Sequence, residues 1–125
     1  MSTWSADDLR RIADTDDLHI SALREDGTTY GTPTWIWSVV VEGVLYARAY
    51  NGIASSWYKA AVRQKAGRIT AAGMTRDVIF ARAHDALAPR IDEAYKAKYG
   101  SNPYLASMIG NNARAATVMI LPAKG

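Results

Sequence analysis

Lys59 and Arg63 stand four residues apart in a stretch of helical pattern that opens on Ser55-Ser56-Trp57-Tyr58. On a helix that spacing puts both cations on one face, where like charges cost about 0.2–0.5 kcal/mol. An anion bound between them would offset the cost. The start of a helix already offers free N–H groups and partial positive charge, an arrangement suited to phosphate. Ser55 and Ser56 add hydroxyl donors, the Asn51-Gly52 break lets the backbone come close, and Arg48, on the strand feeding the loop, is within reach. The chemistry this predicts is capture of a phosphate, a sulfate or the phosphate tail of a cofactor. The same residues also fit a solvated basic helix with ordinary serine capping, because exposed Lys and Arg are common, and charge alone does not separate the two readings.

Trp35, Trp37, Tyr46, Tyr50 and Trp57 crowd around these groups. Aromatic walls of this kind stack on flat rings or pack into cores and interfaces. For Trp35 and Trp37 the expectation is core and dimer-interface packing. The sequence holds no Ser/His/Asp grouping, no paired general acid and base, no GxGxxG and no P-loop, so no catalytic residue is assigned. There is no cysteine. His19 and His84 lack any paired ligand spacing, which leaves no expected metal site. His19 is expected to face solvent or a neighbouring strand, and His84 to be exposed.

The chain's 125 residues are 49% hydrophobic and 22% charged, a composition that suits one hydrophobic core and excludes disorder. The net charge of +3 is unevenly spread: between Gly43 and Arg76 lie six basic residues and no acid, and the remainder carries a net −3. The segment therefore reads as a local signal for an anionic partner. Nucleic acid ranks last among such partners, since the basic residues gather around one helix start and the total charge is modest. No apolar run approaches the ~20 residues a membrane helix needs. The acidic opening Met1-Ser2-Thr3-Trp4-Ser5-Ala6-Asp7-Asp8 lacks an apolar signal core, and a cytoplasmic protein is expected.

Elements must hold these groups in place. Ser5 is expected to cap a first helix, with Asp8 at the third helical position and Trp4 and Leu9 as a hydrophobic staple. Residues 18–23 alternate as a strand. A long strand is expected over 30–41, with Trp35, Trp37, Val39 and Val41 on one face and Ile36 and Val40 on the other. Such a strand needs cover on both faces, and a second subunit is the expected second cover, which predicts a homodimer. Glu42-Gly43 turns into a strand over 44–50, whose small inner residues Ala47 and Ala49 suit a tightly curled barrel. A helix follows from Ser55 or Ser56 to about 65, then a hairpin of 67–74 and 78–84 across Thr75-Arg76-Asp77. A helix from Pro89 to Tyr99 closes on Gly100. A short helix over 104–109, a loop holding Asn111, Asn112 and Arg114, and a last strand over 115–121 complete the chain.

From Trp4 to Leu121 the sequence resembles the DUF2255 family, through Gly31-Thr32-Pro33-Thr34-Trp35-Ile36-Trp37, Arg48-Ala49-Tyr50-Asn51-Gly52, Ser56-Trp57-Tyr58 and Ala61-Val62-Arg63-Gln64-Lys65-Ala66-Gly67. In element order, the segment from 30 to 74 is similar to the FMN-binding split-barrel superfamily, near its deazaflavin (F420)-dependent nitroreductase-like branch. That resemblance implies an α+β fold, a single domain over 1–125 built as a six-stranded split β-barrel with flanking helices, and a homodimer with a flavin-type cofactor, FMN or F420, in a groove at the subunit interface. By position it implies Thr32, Pro33, Thr34 and Trp35 near the ring and Arg48, Ser55, Ser56 and Lys59 at the phosphate; Trp57-Tyr58 matches the aromatic pair common in that branch, and Asn51 and Arg63, from the residues read above, complete the expected cofactor-binding set. It implies an oxidoreductase in which the cofactor carries the hydride chemistry. A non-catalytic module holding another small anionic molecule in the same groove is the alternative. The chain departs from the branch in having Thr32 where Arg often precedes the proline, Ala54-Ser55-Ser56 where a lysine often precedes the tryptophan, and Ala60-Ala61 where Asn-Leu often follows the aromatic pair.

Overall fold

Seven strands pair into one antiparallel sheet. The computed structural model describes residues 4–123. Its strands are β1 (Leu18–Ala22), β2 (Thr34–Ile36), β3 (Ser38–Val41), β4 (Val44–Arg48), β5 (Ala66–Ala71), β6 (Met74–Arg82) and β7 (Thr117–Pro122). They lie in the order β2-β1-β5-β6-β7-β4-β3. The two outermost strands are consecutive in sequence, so the chain itself joins the sheet's edges. The result is an α+β fold with a nearly closed, barrel-like sheet of seven strands. Among the described residues there are five α-helices: α1 (Ala6–Ala13), α2 (Ser56–Gln64), α3 (Ala88–Tyr99), α4 (Leu105–Met108) and α5 (Asn111–Ala115).

The expected strand over 30–41 is divided, and this accounts for seven strands where six were expected. Its first half pairs with β1, ending at Leu18 opposite Ile36. Its second half pairs with β4, beginning at Ser38 opposite Ala47. Trp37 alone separates the two. A change of partner in mid-strand leaves backbone groups that no ladder satisfies, and buried backbone groups must be paired. Helix α3 supplies the pairs. Tyr95 Oη donates to the Trp37 carbonyl at 2.9 Å and accepts from the Arg48 amide at 3.0 Å. Lys98 Nζ donates to the Ser38 carbonyl at 2.8 Å, and the Ser38 amide donates to Tyr99 Oη at 3.3 Å. Burial raises Tyr99 to about 12 and lowers Lys98 to about 8, the latter against the opposing pull of Asp16 and Asp14.

The two faces of the divided strand enter two cores. Ile36 and Val40 join the barrel interior with Leu18, Ile20, Leu45, Ala47, Ala49, Ile69, Phe80, Val118 and Ile120. Trp37, Val39 and Val41 point outward and pack with Tyr46 against Ile91, Tyr95 and Tyr99 of α3 and Met108 of α4. From Trp37 to Val41 the outward face is therefore covered by the chain's own helix, while Trp35 stays exposed.

Local expectations fare unevenly. Ser5 caps α1 by accepting from the Asp8 amide at 3.1 Å. The Trp4 indole, beside buried Leu9, donates to the Ile120 carbonyl at 2.8 Å and ties this helix to β7. Glu42-Gly43 is a turn with both residues at positive φ, as a tight hairpin requires. The second hairpin turns at Ala72-Gly73, φ 52° and 76°, not at Thr75-Arg76-Asp77. Those three residues continue β6, where Arg68 and Arg76 face Asp77 and Ile69 across the ladder. The loop expected at Asn111, Asn112 and Arg114 is helical, as α5.

Candidate functional site

Where β2 and the end of β4 approach the start of α2, the fold leaves a cavity of about 570 Å³. Ligand sites of ordinary size fall between about 300 and 1,000 Å³. Thr34, Trp35, Ile36 and Trp37 line it from β2 and the strand break, and Arg48, Tyr50 and Asn51 from the end of β4 and the residues after it. Ser55, Ser56 and Trp57 come from the start of α2, and Asn102, Tyr104 and Met108 from the turn after α3 and from α4. A smaller recess of about 330 Å³ adjoins at Tyr50 and is walled by Ser107, Gly110, Asn111 and Asn112.

Of the sequence-derived candidates, Thr34, Trp35, Arg48, Asn51, Ser55, Ser56 and Trp57 meet at this cavity. Thr32, Pro33, Lys59 and Arg63 are exposed and lie outside its lining. Neither Lys59 nor Arg63 makes an ion pair among the described residues. Ser55 is the residue before α2, but its hydroxyl makes no capping bond to the helix.

Arg48 reaches the cavity wall with its charge already occupied. Its side chain is fully buried and paired with Asp92 of α3. Nε donates to Thr117 Oγ1 at 3.1 Å, Nη1 to Asp92 and to the Met108 carbonyl at 3.0 Å, and Nη2 to the Ala88 carbonyl at 3.2 Å. A guanidinium has five N–H donors, so one remains. Arg114 of α5 closes on the other Asp92 oxygen. Burial pushes the Asp92 carboxyl up, but the hydrogen-bonded guanidiniums of Arg114 and Arg48 reverse this, and its pKa lies below the ordinary 3.8. The cluster fastens β4, α3 and α5 together beside the cavity.

The aromatic residues divide by environment. Trp37 is 8% exposed and stacks on Tyr99 with ring centroids 4.1 Å apart and an interplanar angle of 2°. Trp35, for which packing was expected, is 55% exposed. Its indole Nε1 nevertheless donates to the Asp16 carbonyl at 2.6 Å, which fixes the ring. Tyr50 and Tyr104 meet edge to face across 6.0 Å. Tyr104 and Asn102 were missed by sequence reasoning. The signal available was the turn chemistry of Asn102-Pro103: Asn102 Oδ1 accepts from the Tyr104 amide at 2.9 Å, a local turn whose place in space the sequence does not reveal.

Neither histidine is in the cavity lining, although His19 lies across the ladder from Trp35. His19 lies 3.5 Å from Asp17, and His84 Nδ1 accepts from the Ala86 amide at 3.3 Å. Among the described residues no three His, Asp or Glu side chains gather as a metal site would require. No helix there is long and apolar enough to cross a membrane.

Fold and site together define an α+β barrel-like protein with an aromatic-walled cavity of ligand size. A family model described as an uncharacterized protein conserved in bacteria (DUF2255) matches residues 8–120. The chain belongs to that family. No curated protein matches it.

Proposed function

We propose that this is a flavin- or deazaflavin-binding protein of split-barrel type, with the ring in the aromatic cavity and the phosphate tail at the start of α2. The observation that carries the reading is the convergence of Trp35, Trp37 and Trp57 with the uncapped helix start at Ser55-Ser56 around one space of about 570 Å³. FMN or F420 would supply the hydride chemistry. The chain would bind and orient the ring and shield it from water, and the activity would be that of an oxidoreductase on a small molecule. Among the described residues the lining carries no acid–base pair; the second reading is a non-catalytic binding module, and a bound ring that proves redox-silent would select it. Titrating FMN and F420 into purified protein while following absorbance and tryptophan emission tests this. Saturable quenching with a spectral shift is expected for at least one of them, and no change with either would refute the reading.

The same reading proposes a homodimer. With α3 over residues 37–41, its support passes to the exposed aromatic side chains that line the cavity, Trp35, Tyr50 and Tyr104. Light scattering at micromolar concentration is expected to return twice the 13.6 kDa chain mass, and a monomer would remove the dimer.

A further inference from the structure

We propose that the cavity selects an uncharged planar heteroaromatic ring rather than an anionic group, and that Trp35 is the stacking residue that sets this specificity. The inference rests on the ring-binding half of the reading above and gives a phosphate tail at the start of α2 no selecting role. Among the described residues Arg48 is the only charged residue of the lining, and four of its five N–H donors are already taken by Asp92, Thr117, Met108 and Ala88. Lys59 and Arg63, the cations that first suggested an anion site, stand outside. What remains around the space is apolar wall and neutral polar groups.

Trp35 is suited to stacking in a way its exposed position alone would not imply. An indole has one hydrogen-bond donor and no acceptor, and that donor is committed to the Asp16 carbonyl at 2.6 Å. The side chain can therefore offer a ligand only its ring faces and edges, and it is held in place before anything binds. A ligand that stacks on it loses little affinity to ordering the site. The polar groups nearby can recognise a ring edge without asking for charge. The Ser55 hydroxyl is not engaged in capping. Asn102 uses its oxygen on the Tyr104 amide, which leaves its NH2 to donate. A flavin ring bearing no phosphate meets these requirements as well as FMN does.

The test compares riboflavin, FMN, F420 and inorganic phosphate on wild type, Trp35→Ala and Trp35→Phe, at about 50 mM and 500 mM NaCl, a range over which exposed charge attraction is largely screened. Riboflavin is expected to bind within about tenfold of FMN, with little salt dependence, and phosphate alone not to bind. Trp35→Ala should weaken riboflavin by about tenfold or more, in the range of one aromatic stack, and Trp35→Phe should restore most of it. Circular dichroism on both variants reports whether the fold is kept, and if the alanine variant fails to fold, the phenylalanine variant and the riboflavin-to-FMN ratio decide. FMN or F420 binding with riboflavin weaker by a hundredfold, or a steep loss with salt, would overturn this inference and leave the cofactor reading standing. Unchanged riboflavin affinity in a folded Trp35→Ala would also overturn it. No binding of any ring would overturn both.

Discussion

Asp92→Ala is expected to lower the unfolding free energy by about 3–5 kcal/mol, the range for removing one partner of a buried ion pair. The loss comes less from the missing attraction than from what stays behind: the Arg48 guanidinium, with no exposed side-chain surface, would keep a buried charge without its counter-ion. Arg48→Met should cost less. Asp92 would still have Arg114, whose side chain is 45% exposed and already hydrated, and a methionine can fill much of the vacated volume. Combining the two changes should be milder than adding them, because the charge that Asp92→Ala strands is then gone. Urea denaturation at pH 7 measures all three. A loss under about 1 kcal/mol for Asp92→Ala, the size of an exposed pair, would refute the account.

The same cluster predicts an acid dependence. Asp92 has a folded-state pKa below its ordinary 3.8. A depressed carboxylate contributes stability that is present above its unfolded pKa and lost as pH falls through the folded one. The gap between wild type and Asp92→Asn should therefore be full at neutral pH and shrink as the pH drops below 3.8. A gap that is constant down to acid unfolding would mean the carboxylate's charge is not what matters.

Asp92 also marks where the sequence stopped being legible. Six basic residues without an acid between Gly43 and Arg76 read as a charge excess awaiting an anion. In space, half of that excess meets acids from outside the segment: Arg48 pairs with Asp92, Arg68 with Asp77 and Arg76 with Asp8. Linear charge counting has no access to pairings 9 to 68 residues apart. Features set by neighbours along the chain were readable, as the Ser5 cap, the Glu42-Gly43 turn and the inward Ala47 and Ala49 show. Periodicity could also place apolar residues on both faces of 34–41, but not say that the strand would change partners at Trp37. That break depends on hydroxyl and ammonium groups of α3, some sixty residues away. The cavity was legible where it draws on β2, β4 and α2, and illegible at Asn102, Tyr104 and Met108, which tertiary folding brings to it.

Trp37→Glu separates the two accounts of that strand. Were Trp37 an interface residue, a charge there would yield a folded monomer. Its packing against α3 predicts loss of the fold instead. Truncating a core tryptophan costs about 3–5 kcal/mol before any charge is considered, and here the ring is 8% exposed and lies flat on Tyr99. A carboxylate in its place would be buried against α3, where the nearby Lys98 ammonium is already committed to the Ser38 carbonyl, or would take up a proton at further cost. Against a typical stability of about 5–15 kcal/mol, the sum is expected to leave a protein without a cooperative thermal transition. Trp35→Glu is the matched control two residues away. That side chain is 55% exposed, so the fold should persist with a loss of about 1 kcal/mol, mostly from the bond to the Asp16 carbonyl. Near-ultraviolet circular dichroism with light scattering reads both variants. A native-like, monomeric Trp37→Glu beside a dimeric wild type would return Trp37 to the interface, and α3 could not then be the cover that holds the strand break in place.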